Sequence, residues 1–115
     1  MIEKLYQVIC DRRDHPQANS YVASLIAKGP DAILKKIGEE AAEVIIATKN
    51  RGNVNDVTNQ DVDTAATASL VHEIADLTFH LLVLMAEQKI PPSAVSSELK
   101  HRLGTSGLAE KANRK

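Results

Sequence analysis

Carboxylates at helical spacing inside apolar runs constrain this chain more than any other feature. Residues 36–43 read Lys-Ile-Gly-Glu-Glu-Ala-Ala-Glu and lead straight into Val44, Ile45, Ile46 and Ala47. Residues 72–80 read His-Glu-Ile-Ala-Asp-Leu-Thr-Phe-His and lead into Leu81, Leu82, Val83, Leu84 and Met85. At about 100° per residue, Lys36, Glu39, Glu40 and Glu43 share an arc of roughly 100° on one helix. His72, Glu73, Asp76 and His80 do the same on another. Each stripe sits among Ala, Ile and Leu, so the two are expected to face each other rather than water.

Such an arrangement needs a cation. Like charges three or four residues apart destabilise a helix by about 0.2–0.5 kcal/mol per pair in water. Burying several carboxylates without partners costs far more. Lys36 offsets one charge only. Ligands that are all oxygen point to a hard cation, Mg²⁺ or Mn²⁺, whereas zinc draws more on Cys and His. The opposing reading makes Glu39, Glu40 and Glu43 a solvated face paired with Lys35, Lys36 and Lys49. His80 reads as a satisfied core histidine, or one supporting a ligand, and His72 as exposed. Gly38, in mid-helix, reads either as close helix packing or as room for a ligand beside Glu39.

The rest of the chain fits an all-α bundle. Aromatic residues make up 3% and Trp is absent, so the core must come from Leu, Ile, Val and Ala, which suits packed helices. Pro and Gly divide the sequence into about five helices. They are Ile2–Arg13, stopped at His15-Pro16; Tyr21–Lys28, capped by Asn19 or Ser20 and ended by Gly29; Pro30–Asn50; a long helix capped by Asp63 or Thr64 and running to Lys89; and Pro92 to about Leu103. Asn53 to Asp63 reads as a loop, and 103–115 as a tail of one 1–115 domain. Leu81 to Met85 is apolar on every side, as is Val44 to Ala47, and such stretches must be buried all round. A homodimer that completes the bundle is therefore expected. A net charge of −1 gives no basic field for nucleic acid. The single cysteine, Cys10, allows no internal disulfide, reads as a small buried hydrophobe and fits a reducing compartment. The N-terminus has no signal segment. The most apolar stretch, Leu81 to Ala86, is far too short to span a bilayer. A soluble, cytoplasmic protein with no membrane partner is the expectation.

Glu40-x-x-Glu43 followed by Glu73-x-x-Asp76 resembles the paired motif of the MazG-type all-α nucleotide pyrophosphatases. That resemblance implies four acids binding Mg²⁺, which holds a triphosphate while water attacks a phosphoanhydride. A closer similarity, over nearly the whole chain, is to the phosphoribosyl-ATP pyrophosphatase family. It rests on Ser20-Tyr21 with Leu25 and Gly29; on Lys36-x-Gly38-Glu39-Glu40-Ala41-x-Glu43; and on Glu73-x-Ala75-Asp76-Leu77-x-x-His80-x-Leu82-Val83-Leu84. A third block is Arg102-x-Gly104-x-Ser106-Gly107-x-x-Glu110-Lys111-x-x-Arg114, the part a generic triphosphate pyrophosphatase would lack. The chain departs from the pattern in a longer 53–63 loop, and in Thr78-Phe79 where a Leu-Tyr-like pair is expected.

The resemblance implies hydrolysis of phosphoribosyl-ATP to phosphoribosyl-AMP and pyrophosphate, the second step of histidine biosynthesis. Glu40, Glu43, Glu73 and Asp76 would hold the metal. Glu39 would orient water as base or add a ligand, beside Glu40 in the catalytic set. Lys36, Arg102, Ser106, Lys111 and Arg114 would contact substrate, and the tail would order on it. Two other readings stand beside this one: a broad nucleoside triphosphate pyrophosphatase of nucleotide-pool cleansing, and a non-catalytic metal-binding bundle. The second wants Glu-x-x-His pairs on two helices, and the chain has only Glu98-x-x-His101.

Overall fold

The computed structural model describes residues 1–52 and 64–104. Those residues form five helices and no strand: α1 (Ile2–Asp14), α2 (Tyr21–Ala27), α3 (Pro30–Arg51), α4 (Thr64–Glu87) and α5 (Pro92–Leu103). The expected loop at 53–63, the Asp63 cap and the tail beyond Gly104 lie outside the described residues.

Local chemistry accounts for most helix ends. Ser20 caps α2, its Oγ accepting the Ala23 N–H at 3.1 Å, so of the two expected caps it is the one used. Gly29, at φ +92°, ends the α2 turn and begins α3, and Pro30 follows where its missing N–H costs nothing. α4 stops two residues short of the expected Lys89. Lys89 itself takes φ +59°. The Ile90 N–H returns to the Met85 carbonyl at 2.8 Å and the Lys89 N–H to Ala86 at 3.2 Å, a Schellman closure built without glycine.

The core lies at one end of the molecule. Ile9 of α1, Val22 and Leu25 of α2, Ile33 of α3, and Leu82, Val83 and Ala86 of α4 form one buried cluster, with Cys10 half-buried at its edge. α1 also clasps the end of α4. Arg13 donates from Nη1 to the Ala86 carbonyl at 2.6 Å, and the Tyr6 hydroxyl donates to the Ile90 carbonyl at 2.7 Å.

α3 and α4 pack against each other as an antiparallel pair and reach well past this core. Beyond Ile37, only Ala47 of α3 is buried, and no residue of α4 before His80 is. The expectation that Leu81–Met85 and Val44–Ala47 would be covered on all sides holds only in part. Leu82, Val83 and Ala47 are buried, but Leu81 is 42% exposed, Ile45 62% and Ile46 53%. Val71 and Ile74 are exposed as well. The radius of gyration, 17.6 Å, exceeds the roughly 13 Å of a compact chain of this length. One copy leaves much of the helix pair uncovered.

α4 is long and apolar enough, by length and composition, to cross a membrane, although its Leu81–Ala86 segment alone is not. The difference comes from Ala, Leu and Val placed along its whole length. It carries His72, Glu73, Asp76 and His80 in its middle and packs lengthwise on α3.

Candidate functional site

α3 and α4 are tied at two levels, and one of the ties brings Glu40 of the first stripe against His80 of the second. Near the open end, Arg51 Nε donates to Thr67 Oγ1 at 2.9 Å. Farther in, His80 Nδ1 lies 3.4 Å from Glu40 Oε1. Glu40 is turned inward, its side chain only 13% exposed. Glu73 and Asp76 are half-buried, while Glu39 and Glu43 remain exposed at the margin. A wholly solvated face is thus not what Glu40 occupies. Full enclosure is not found either, because the helix pair has water on its far side.

On α4, His72, Glu73 and Asp76 each bring one ligand atom to within 4.8 Å of the others. His72 Nε2 is 3.3 Å from an Asp76 carboxylate oxygen, with the His72 side chain 72% exposed, matching the sequence expectation for that residue. A set dominated by carboxylate oxygens, open on one side, suits Mg²⁺ or Mn²⁺. Lys36 Nζ lies 3.9 Å from Glu39 Oε2, a loose, half-exposed pair that leaves the ammonium available to an anion. Gly38 settles one alternative: a Cβ built there meets nothing within 4 Å, so close packing within the chain is not what calls for glycine.

His80 is buried and fully partnered. Its Nδ1 reaches the Asp76 carbonyl at 2.9 Å as well as Glu40, and its Nε2 sits 2.8 Å from the Tyr21 hydroxyl. Tyr21 and Phe79 both meet the ring edge to face, with centroids at 5.9 and 5.4 Å. The sequence reading of His80 as a satisfied inner histidine holds. Tyr21 had no assigned role there; its place next to the α2 cap, in the Ser20-Tyr21 pair of the family resemblance, was the signal it offered.

Other expected site residues are not gathered. Arg102 lies in the last turn of α5, where Nε pairs with Glu98 Oε1 at 3.4 Å. It lines an open groove of about 770 Å³ with Glu3, Ser93, Ser96 and Lys100, which includes none of the proposed acids. Ser106, Lys111 and Arg114 fall outside the described residues. Glu98 is engaged by Arg102 and His101 is exposed on α5, and the Glu-x-x-His pair of the metal-bundle alternative is not part of the His72, Glu73 and Asp76 group.

Fold and site together define an all-α protein whose central helix pair carries a carboxylate cluster. Comparison with known proteins narrows this. The family model described as "Phosphoribosyl-ATP pyrophosphohydrolase" matches residues 2–103. A protein of Trichlorobacter lovleyi named phosphoribosyl-ATP pyrophosphatase is 49% identical over 115 residues, 100% of this chain and 94% of that protein. Proteins of the same name from Geobacter sulfurreducens and Listeria welshimeri are each 46% identical, over 99% and 90% of this chain and 93% and 86% of theirs. The chain belongs to the phosphoribosyl-ATP pyrophosphohydrolase family. It is a hydrolase of phosphoanhydrides. The family model ends at Leu103, while the Trichlorobacter lovleyi protein aligns over the whole chain, tail block included.

Proposed function

We propose that the chain hydrolyses phosphoribosyl-ATP to phosphoribosyl-AMP and pyrophosphate in histidine biosynthesis, using the acids of α3 and α4. The observation that supports this reading is the inward turn of Glu40 against His80, which joins one acid of α3 to the helix that carries Glu73 and Asp76. Glu40, Glu43, Glu73 and Asp76 would hold Mg²⁺, or Mn²⁺ in its place. The bound ion supplies charge neutralisation and Lewis acidity to a polyphosphate that would otherwise repel its nucleophile. Glu39, exposed at the margin, accepts a hydrogen bond from the attacking water and orients it. Lys36 offers its ammonium to phosphate oxygens. As water's oxygen bonds to phosphorus, its proton passes to Glu39, and the anhydride P–O bond breaks with its electron pair leaving on pyrophosphate.

The working unit in this proposal is a homodimer. Ile45 and Ile46 of α3 and Val71 and Ile74 of α4 lie exposed along the half of the helix pair that the core does not reach. A second copy covering them would also dry the carboxylate cluster, which strengthens electrostatics there. Tail residues Ser106, Lys111 and Arg114, with Arg102, are proposed to bind substrate, and the protein to work in the cytoplasm. Pyrophosphate release from phosphoribosyl-ATP and from a panel of common nucleoside triphosphates, with and without Mg²⁺, tests the reading. Strong, Mg²⁺-dependent release from phosphoribosyl-ATP alone supports it. Equal release from the whole panel would indicate a broad triphosphate pyrophosphatase.

A further inference from the structure

We infer that Tyr21 and His80 form a positioning pair that fixes the Glu40 carboxylate, an inference that rests on reading Glu40 as a site acid. The hydrogen-bond geometry selects one ring form. His80 Nδ1 faces two groups that can only accept, the Asp76 carbonyl at 2.9 Å and Glu40 Oε1 at 3.4 Å. Nδ1 must therefore carry a hydrogen. In the neutral ring that leaves Nε2 as an acceptor, and the Tyr21 hydroxyl, 2.8 Å away, donates to it. The Asp76 carbonyl thus sets the tautomer, the Tyr21 hydroxyl holds the opposite edge of the ring, and the Nδ1 edge stands 3.4 Å from Glu40 Oε1.

The surroundings make this a device rather than a chance contact. The His80 side chain is 8% exposed and sits between Tyr21 and Phe79, both perpendicular to it, so the ring has little room to turn. Tyr21 is the first residue of α2, held by the Ser20 cap, and comes from an element that contributes no acid to the site. A short helix outside the acidic pair therefore sets the rotamer of an acid inside it. Support of this kind, one step removed from the reacting groups, is typically worth 10–100-fold in ligand affinity or rate.

Five chains test it: wild type, Tyr21→Phe, His80→Asn, His80→Leu and Glu40→Gln. Tyr21→Phe removes one hydroxyl from a half-exposed ring and should fold normally. His80→Asn can keep an N–H donor where Nδ1 lies. The imidazole ¹⁵N spectrum of wild type should show the Nδ1–H form, and in Tyr21→Phe that form should persist while the Nε2 resonance shifts on losing its hydrogen-bond donor. In pyrophosphate release from phosphoribosyl-ATP, Tyr21→Phe should lower kcat about 10-fold with KM little changed. His80→Asn should retain more activity than His80→Leu. An unchanged spectrum and unchanged kcat in Tyr21→Phe, with Glu40→Gln inactive, would overturn the pair while leaving Glu40 in the site. A fully active Glu40→Gln would overturn the reading of Glu40 itself.

Discussion

Arg13 shows how much one side chain can hold. Its Nη1 satisfies the Ala86 carbonyl at the end of α4, and its Nε grips Asp14 at 2.8 Å. Replacing Arg13 with Gln should cost about 1 kcal/mol, since the Lys89 N–H still reaches the same carbonyl, and chemical denaturation will measure it. The Arg13 hydrogen bond holds the Asp14 carboxyl below the usual carboxylate range, with smaller help from the charges of Arg13, His15 and Lys89 and some opposition from desolvation. A depressed acid stabilises the fold above its unfolded pKa and loses that contribution as pH falls through the folded one. Asp14→Asn should therefore leave stability near neutrality slightly lower and remove part of its decline in acid. The effect is small because Asp14 is exposed, and thermal melts across the acidic range will show it. For the site, Glu43→Gln should slow turnover strongly while leaving the metal-free protein as stable or more so, because a like-charge repulsion has gone. Paired melting curves and rates check both halves of that statement.

At the scale of elements, α4 carries both the core and the site, and its end offers a clean test. Lys89 closes the helix in a left-handed conformation that costs a residue with a Cβ on the order of 1 kcal/mol. Lys89→Gly should raise stability by somewhat less than that, read as a higher melting temperature, since glycine also gains entropy when unfolded. That same residue explains where sequence reading fell short. Gly29, Pro30, Pro91 and Pro92 dictate backbone angles locally, so the ends they mark were legible to within a residue. Lys89 carries no such local signal. α4 ends where it does because the Schellman bonds close there and Arg13 and Tyr6 hold the exit, contacts made from another helix. The acidic arcs were legible for the same reason as the prolines, because helical geometry converts spacing into a face. Their uneven burial was not, since it depends on the antiparallel register of α3 on α4. The Tyr21–His80 contact joins residues 59 apart and leaves no trace in spacing.

For the molecule as a whole, the question is what covers the outer half of the α3–α4 pair. Ile45, Ile46, Val71 and Ile74 expose enough apolar surface to expect a second copy there. Sedimentation should find a dimer at micromolar concentration, and Ile46→Glu should shift it toward monomer with loss of turnover; a stable, folded wild-type monomer would remove this part of the account. Truncation after Leu103, where the match to the family model ends, should leave helicity and melting temperature nearly unchanged yet abolish hydrolysis. Unfolding of the truncated chain would make the tail structural instead. Mg²⁺ at millimolar concentration should raise the wild-type melting temperature, because a ligand that binds only the folded state stabilises it by mass action. The most direct test of the carboxylate site is pyrophosphate release from phosphoribosyl-ATP by wild type and Asp76→Asn, side by side in Mg²⁺. The account predicts release by wild type and a fall on the order of 100-fold in Asp76→Asn. Release by Asp76→Asn at the wild-type rate would contradict it.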